Sequence, residues 1–247
     1  MLIEQAAYAS RWRRVCPGAK GCFALAGLVA AFVAPTPAAA LLVAAVLCAV
    51  AVLGAGTRPL LYVRVAAPAT GFLALSCLSL LFSLTADADG SLHWHFAHDA
   101  GARIAELAAR SLAALAALLF LVLSTPMSDL IVVLRRLHVP EVLLDLMVLC
   151  YRMLFVFSEA LHDTLTAQKA RLGYVSTRHS LHSLGLLTAS MAAQIWQRAR
   201  ALHIAAVARN GEGPLRFLGA TYPAARRDLG LAMLAGSLLI VVARIGG

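Results

Sequence analysis

Residues 21–57 read GCFALAGLVA AFVAPTPAAA LLVAAVLCAV AVLGAGT, and this run between Lys20 and Arg58 contains no charged side chain. A bilayer core requires about 20 apolar residues for each helix that crosses it, and proline favours a turn at a helix boundary. Pro35 and Pro37 therefore divide the run into two predicted transmembrane helices. The first covers 21–34 and is short, and the second covers 38–56.

The composition of the whole chain agrees with a membrane location. Of 247 residues, 61% are hydrophobic and 13% are charged, whereas soluble domains carry about 25% charged residues. The formal charge is +9. Basic loops set membrane topology and contact anionic lipid head groups, and no soluble segment interleaves aromatic with basic residues. Membrane lipid is the predicted partner of these charges, and nucleic acid is not predicted as a partner.

The remaining apolar segments complete the predicted fold. A third uncharged run covers 65–86 and contains Pro68 and Gly71, so a kinked or re-entrant helix is an alternative to a full span over 60–84. Further spans are predicted over 103–124 and 229–243, and two long mixed segments over 140–170 and 180–209. The sequence thus predicts an all-α, polytopic integral membrane protein with about five transmembrane helices plus two long cytoplasmic helices.

The N-terminal segment has two interpretations. Basic residues precede the first apolar stretch, and Ala38–Ala40 resembles the cleavage site of a signal peptide. Because the apolar run continues past this site and several spans follow, a retained first span is the preferred prediction. Whether residues 1–20 form an interfacial helix stays open.

The distribution of Lys and Arg predicts the orientation of the chain. Basic segments remain on the cytoplasmic side of a membrane. These segments contain Arg11, Arg13, Arg14 and Lys20, then Arg58 and Arg64, then Arg135 and Arg136, and finally Arg216, Arg226 and Arg227. The N-terminus is therefore predicted to be cytoplasmic. The turn at 35–37 and the loop at 87–99, which lacks Lys and Arg, fall on the outer side.

The outer loop contains side chains that suit a transition metal, namely Asp87, Asp89, His93, His95, His98 and Asp99. On an extended strand His93 and His95 would share one face. A solvated outer loop explains the same residues without a ligand. No metal site and no cofactor are predicted.

The helix over 140–170 has a polar stripe. Pro140 and Glu141 suit a helix start, and residues spaced by four and seven share one face. The stripe comprises Glu141, Asp145, Arg152, Glu159 and Asp163. One interpretation is an amphipathic helix at the membrane interface. The other is a helix-coupling stripe in which these side chains pair with Arg198 and Arg200 of the next helix.

The two long helices end in similar sequences, Ala170-Arg171-Leu172-Gly173 and Ala208-Arg209-Asn210-Gly211. A glycine shortly after an arginine suits a helix C-cap, with the cation near the negative end of the dipole. Two well-capped helices explain the text without a function. A paired docking device for a twofold partner is the functional alternative, because arginine pairs bidentately with carboxylates.

Five segments carry a resemblance to a known family. They are LHVPE at 137–141, YRMLFV at 151–156, AQKARLGY at 167–174, SLGLL at 183–187 and AVARNG at 206–211. In order and spacing over 130–215 the chain resembles the transmembrane (T) component of energy-coupling-factor (ECF) transporters. The resemblance is to the cobalt/nickel branch, CbiQ and NikQ.

The resemblance implies a scaffold in the bacterial inner membrane. Its partners would be two cytoplasmic ATPase subunits, a membrane metal-binding substrate subunit and an optional small accessory membrane subunit. It also implies three segments: transmembrane helices over 1–130, a coupling-helix module over 131–215 and a C-terminal transmembrane helix over 216–247. The chain has no G-x-x-x-x-G-K-[ST] run, so ATP hydrolysis would come from the partners.

In the family, each of two coupling helices ends in an Ala-Arg-Gly signature that docks on an ATPase. Carried over, the ATPase-docking residues are Ala170, Arg171, Gly173, Ala208, Arg209 and Gly211. The chain departs from the signature because Leu172 or Asn210 precedes each glycine.

Three alternatives accompany this interpretation. A nickel transporter would work by the same mechanism, although cobalt is preferred. A stand-alone secondary transporter would normally have ionisable residues at mid-membrane and internal repeats. An intramembrane enzyme would require an acid, His or Ser constellation near the bilayer.

Overall fold

A computed structural model describes residues 2–86, 92–96, 100–209, 222 and 224–246. Most of this part of the chain is α-helical. The helices are α1 Leu2–Ala9, α2 Pro17–Val33, α3 Pro37–Ala49, α4 Pro59–Leu81, α5 Ala100–Ser124, α6 Met127–Arg136, α7 Glu141–Ala170, α8 Thr177–Ala208 and α9 Ala225–Ile245. A 3-10 turn, Arg11–Arg14, precedes α2, and a π-helical turn, Val50–Gly54, continues α3.

The predicted all-α, polytopic fold is confirmed. Four segments are long and apolar enough to cross a membrane, namely Pro37–Gly54, Pro59–Leu80, Gly101–Ser124 and Ala225–Ile245. Helix α2 is equally apolar in character but shorter, Pro17–Val33. These five helices coincide with the five predicted spans, so the chain is a multi-pass membrane protein.

Helix α4 is continuous through Pro68. A proline inside a helix removes the backbone donor to the carbonyl four residues earlier, which here is that of Arg64. The Thr70 hydroxyl donates to the carbonyls of Ala66 and Ala67, both at 3.1 Å. The helix ends at Leu81, five residues before the uncharged run ends at residue 86. A strand, β1 Phe82–Ala86, follows and pairs antiparallel with β2 Leu92–Phe96.

The chain divides into two compact units. The first, unit 1, comprises Met1–Val133 and Gly219–Gly247, and the second, unit 2, comprises Leu134–Leu218. Helix α6 carries the chain across the first boundary. Unit 1 therefore contains all five apolar helices, and unit 2 contains α7 and α8.

Small residues allow the helices of unit 1 to pack closely. The core includes the fully buried Ala30, Ala40 and Ala113. A Cβ on Gly27 would lie 3.0 Å from a methyl of Leu47, which brings α2 against α3. In membrane proteins such small residues let helix backbones approach each other. Alanine and glycine therefore let the helices approach each other, and large side chains such as Phe120 and Leu123 fill the core between them.

Two cations connect the antiparallel helices α2 and α5 at their ends. The Lys20 ammonium donates to the Ser124 carbonyl at the end of α5, at 2.9 Å, and only 2% of Lys20 is exposed. At the other end, the Arg110 guanidinium donates to the Ala34 carbonyl at the end of α2, at 3.3 Å. The last carbonyls of a helix lack intrahelical partners, and an unsatisfied carbonyl is costly in an apolar environment. Each helix thus supplies the cap of the other.

The N-terminal segment lies across one end of unit 1. Both the Arg11 amide and the Ser10 hydroxyl donate to the Ala55 carbonyl, at 3.1 Å each. The Tyr8 hydroxyl lies 3.3 Å from that of Ser128. One end of the bundle therefore carries three groups of basic residues. They are the basic residues of 11–20, Arg58, and the basic residues at the start of α9.

Candidate functional site: the ends of helices α7 and α8

Helices α7 and α8 form the body of unit 2. They contain 30 and 32 residues, which corresponds to about 45 Å and about 48 Å at 1.5 Å per residue. Helix α8 begins at Thr177, three residues before the predicted start. The Ser176 side chain caps it by accepting from the His179 amide at 3.4 Å, as serine commonly does at this position. A six-residue connection from Arg171 to Ser176 therefore joins the two helices.

Arg171 and Arg209 occupy the same position at the two helix ends. Each is the C-cap residue, with φ −91° and ψ 16° at Arg171 and φ −98° and ψ 13° at Arg209. Both side chains are exposed. The preceding residues, Ala170 and Ala208, are the last helical residues and are exposed as well. Two exposed cations thus lie at the negative ends of two helices, where the macrodipole favours them.

The glycine that sequence reasoning assigned to the first C-cap does not have the left-handed conformation. Leu172 does, with φ 59°. The Gly173 amide donates to the Gln168 carbonyl at 2.9 Å, and the Leu172 amide to the Lys169 carbonyl at 3.1 Å. These two bonds form a Schellman motif. Leu172 is therefore the left-handed residue of the cap, and the predicted role of Gly173 is corrected.

Gly173 instead permits a close approach to α8. A Cβ at this position would lie 2.7 Å from the Ser183 hydroxyl and 3.0 Å from the Gln168 carbonyl oxygen. The Ser183 hydroxyl donates to the Gly173 carbonyl at 2.8 Å. A larger residue at 173 would require the Ser183 hydroxyl to turn away and the Gln168 carbonyl to shift by a few tenths of an ångström.

Gln168 completes this contact and was not selected from the sequence. Its amide donates to the Ser183 carbonyl at 3.0 Å and accepts from the Tyr174 hydroxyl at 2.7 Å. Gln168, Tyr174 and Ser183 all lie in the segments that carry the family resemblance, and this was the only feature of the sequence that pointed to them. The hydrogen bonds hold the first arginine in a defined position relative to α8.

The second helix end is described only as far as Arg209. Its amide donates to the Ala206 carbonyl at 3.1 Å. Asn210 and Gly211, which the sequence assigned to the same docking site, lie outside the described residues. The equivalence of the two ends therefore rests on Ala170 with Arg171 and on Ala208 with Arg209.

The polar stripe has a mixed environment. Glu141, Arg152, Glu159 and Asp163 are exposed, and Asp145 is partly buried. Arg198 packs its guanidinium over the Phe157 ring, 5.8 Å from the centroid, which is a cation–π contact. Arg200 is exposed. The observed contact across the two helices is thus to an aromatic ring, and pairing of the stripe with Arg198 and Arg200 stays a prediction.

Potential metal ligands do not converge in the described ranges. Within them, no group of three or more His, Cys, Asp or Glu side chains is placed to hold a metal ion. The ends of the outer loop, with Asp87, Asp89, His98 and Asp99, lie outside the described residues. The backbone of His93 and His95 belongs to β2, but their side chains are likewise not described.

Comparison with known proteins identifies the family. The family described as "CbiQ: Cobalt transport protein" matches residues 9–219. The cobalt transport protein CbiQ of Rhodobacter capsulatus is 35% identical over 246 residues, which cover 96% of this chain and 98% of the relative. The chain belongs to the CbiQ cobalt transport protein family. It is therefore a membrane component of cobalt transport.

Two further relatives extend the CbiQ comparison. The cobalt transport protein CbiQ of Salmonella typhimurium is 29% identical over 207 residues, covering 79% of this chain and 90% of the relative. A putative fused cobalt transport protein CbiMQ of Methanocorpusculum labreanum is 26% identical over 223 residues. Those residues cover 86% of this chain but 37% of the fused relative. The CbiQ-like part of that relative thus belongs to a longer chain.

Replacing Leu172 with glycine tests the cap. A left-handed conformation costs an L-residue about 1 kcal/mol, and glycine avoids that cost. We expect Leu172→Gly to keep or increase the hydrogen-exchange protection of the Leu172 and Gly173 amide positions. Leu172→Val, with a β-branched side chain that tolerates positive φ poorly, should reduce it. Lower protection in the glycine variant with no change in the valine variant would contradict the assigned conformation.

Proposed function

We propose that the chain is the transmembrane scaffold subunit of an ATP-driven, ECF-type cobalt uptake transporter. In this role it joins two cytoplasmic ATPase subunits to a membrane subunit that binds the metal. The observation that carries the proposal is the closely matching C-cap geometry of the exposed Arg171 and Arg209. Two equivalent cationic helix ends suit a partner that presents two equivalent acidic or carbonyl-lined pockets, as a pair of ATPase subunits does.

The proposed coupling mechanism depends on the length of helices α7 and α8. Closure of the ATPase pair on ATP would displace the ends of α7 and α8 relative to each other. A continuous helix conveys such a displacement along its whole length, and unit 2 joins unit 1 through α6 and the segment before α9. The apolar helices of unit 1 would then alter their contact with the metal-binding subunit.

The partner subunits supply the chemistry that this chain lacks. Its sequence has no phosphate-binding G-x-x-x-x-G-K-[ST] run, so ATP hydrolysis belongs to the ATPases. The fused relative named CbiMQ supports a membrane partner of the CbiM type for the metal. Cobalt is the substrate, and nickel uptake by the same mechanism is the alternative that a metal competition assay would distinguish.

The proposed orientation places the N-terminus and both arginines on the cytoplasmic side of the bacterial inner membrane. The basic residues at one end of unit 1 support this assignment through the positive-inside rule. In a variant without the five native cysteines, Arg171→Cys and Arg209→Cys should react with a membrane-impermeant thiol reagent in inside-out vesicles only. Thr36→Cys, in the turn predicted to be external, should react in intact cells.

Reaction of the two helix-end cysteines from opposite sides would refute the proposed docking arrangement. Transport measurements provide the second test, because uptake should require co-production of the ATPase subunits. Cobalt uptake by the purified chain alone would favour a secondary transporter instead.

A further inference from the structure

The 3-10 turn that precedes α2 presents arginines at one end of unit 1. It covers Arg11–Arg14 and belongs to the N-terminal segment that lies across this end. Arg11, Arg13 and Arg14 are exposed, whereas Trp12 is partly buried. Residues three apart in a 3-10 turn lie on the same side of it, so Arg11 and Arg14 share one exposed side.

Trp12 fixes this turn to the helix bundle. Its ring lies edge-on to the buried ring of Phe120 in α5, with 5.8 Å between the centroids. A Cβ on Gly54 would lie 2.9 Å from the Trp12 ring, so the absence of a side chain at Gly54 leaves room for the indole. The Trp12 amide also donates to the Ser10 side chain at 3.3 Å. The arginines are therefore presented by a turn that has a defined position on the bundle.

A further arginine, Arg58, adjoins the turn. The Arg11 amide donates to the Ala55 carbonyl at 3.1 Å. The Arg11 side chain lies over Gly56, where an added Cβ would be 3.1 Å from the Arg11 Cδ. Arg58 follows Gly56 by two residues, which span at most about 7 Å, and Arg58 is exposed. Arg11 and Arg58 therefore lie in the same small area of the surface.

These cations are not neutralised within the part of the chain that the structure describes. No described carboxylate forms an ion pair with Arg11, Arg13, Arg14 or Arg58. Arg13 lies over the ring of Tyr8 instead, 5.1 Å from its centroid. Like charges that are close together repel each other, so a bound anion would stabilise this group of arginines.

The position of the arginines indicates which anion they meet. The apolar segment Pro37–Gly54 is long enough to cross a membrane, and it ends one residue before Ala55, which the Arg11 amide contacts. The turn therefore lies where the hydrocarbon core ends and the layer of lipid head groups begins. Trp12 and Tyr8 suit the same depth, because tryptophan and tyrosine are enriched at the boundary between lipid and water.

We propose that Arg11, Arg14 and Arg58 form a binding site for the phosphate group of an anionic phospholipid. Arginine suits this ligand, because its planar guanidinium donates two parallel hydrogen bonds to phosphate oxygens. Such a site differs from the general attraction of basic loops to a membrane, because it retains an anionic lipid after the bilayer has been removed. It requires no partner subunit and so does not rest on the proposed function.

Native mass spectrometry of the purified full chain tests the site. The protein in detergent is incubated with phosphatidylglycerol or with phosphatidylcholine, and the lipid that each chain retains is counted. We expect the unaltered chain to retain phosphatidylglycerol in preference. One arginine near an anionic membrane surface contributes about a fivefold gain in affinity. Arg11→Gln combined with Arg58→Gln should therefore weaken retention by roughly 25-fold.

A second variant leaves the packing of Arg11 on Gly56 unchanged. Arg14→Gln alters only the exposed side of the turn, and it should weaken phosphatidylglycerol retention about fivefold. The matched control is Arg103→Gln combined with Arg244→Gln. Both of these arginines are exposed, and they lie near the start of α5 and the end of α9, away from the turn. The control should retain phosphatidylglycerol like the unaltered chain.

Three outcomes would overturn the lipid site. The first is equal retention of the two lipids by the unaltered chain. The second is an equal loss in the control and in Arg11→Gln with Arg58→Gln, because attraction by charge alone would explain it. The third is unchanged lipid retention in Arg11→Gln with Arg58→Gln. If that variant also lost an ATPase subunit on co-purification, the arginines would serve a protein partner instead of a lipid.

Discussion

Alanine at both Arg171 and Arg209 is expected to abolish cobalt uptake and to remove the ATPase subunits from the purified complex. Buried arginines at the centre of an interface each contribute about 2 kcal/mol or more, which corresponds to roughly a 30-fold loss of affinity for each arginine. Because both have the same backbone geometry, the two single variants should lose comparable affinity. Co-purification with a tagged ATPase subunit and uptake in cells measure the result.

The control removes the same number of charges from elsewhere on the chain. Arg58 and Arg64 are exposed and are also predicted to face the cytoplasm. Arg58→Ala with Arg64→Ala should leave ATPase binding intact. Membrane insertion of the docking variant should be unchanged, because both arginines lie at helix ends in unit 2. Full ATPase binding after loss of Arg171 and Arg209 would refute their docking role.

Sequence reasoning located the apolar helices because the length of an uncharged run reports directly on a membrane span. It also selected the two arginines, because the repeated Ala-Arg sequence can be recognised without knowing the tertiary structure. The capping role of Lys20 could not be predicted from the sequence. A lysine before an apolar run indicates only which side of the membrane the segment lies on. The tertiary packing is needed to show that its ammonium reaches the Ser124 carbonyl.

The first helix end shows why the cap itself was assigned to the wrong residue. Glycine is the usual left-handed residue after a helix, so the sequence favours Gly173. The structure favours glycine at 173 for another reason, because a Cβ there would crowd the Ser183 hydroxyl and the Gln168 carbonyl. The left-handed position is then Leu172. Both requirements depend on α8 packing against the connection, and a local pattern does not contain that information.

The second large effect is expected where α2 meets α9. A Cβ on the buried Gly236 would lie 2.6 Å from the Cβ of Ala26. Two carbon atoms that are not bonded to each other cannot approach so closely. Gly236→Ala should therefore force the helices apart and destabilise the protein by about 1–3 kcal/mol. Gly230→Ala, on the same helix with open space around it, is the control and should be neutral or stabilising. Thermal unfolding in detergent distinguishes them.

A compensating change makes this expectation specific. Ala26→Gly combined with Gly236→Ala moves the methyl group from α2 to α9, so the double variant should recover most of the lost stability. Two outcomes would contradict the close packing. In the first, Gly236→Ala and Gly230→Ala are equally stable. In the second, the double variant is no more stable than Gly236→Ala. The same two helices are also tied at the start of α9, where the Cys16 amide donates to the Asp228 carboxylate at 3.1 Å, so the strain of Gly236→Ala acts on helices that this bond holds together.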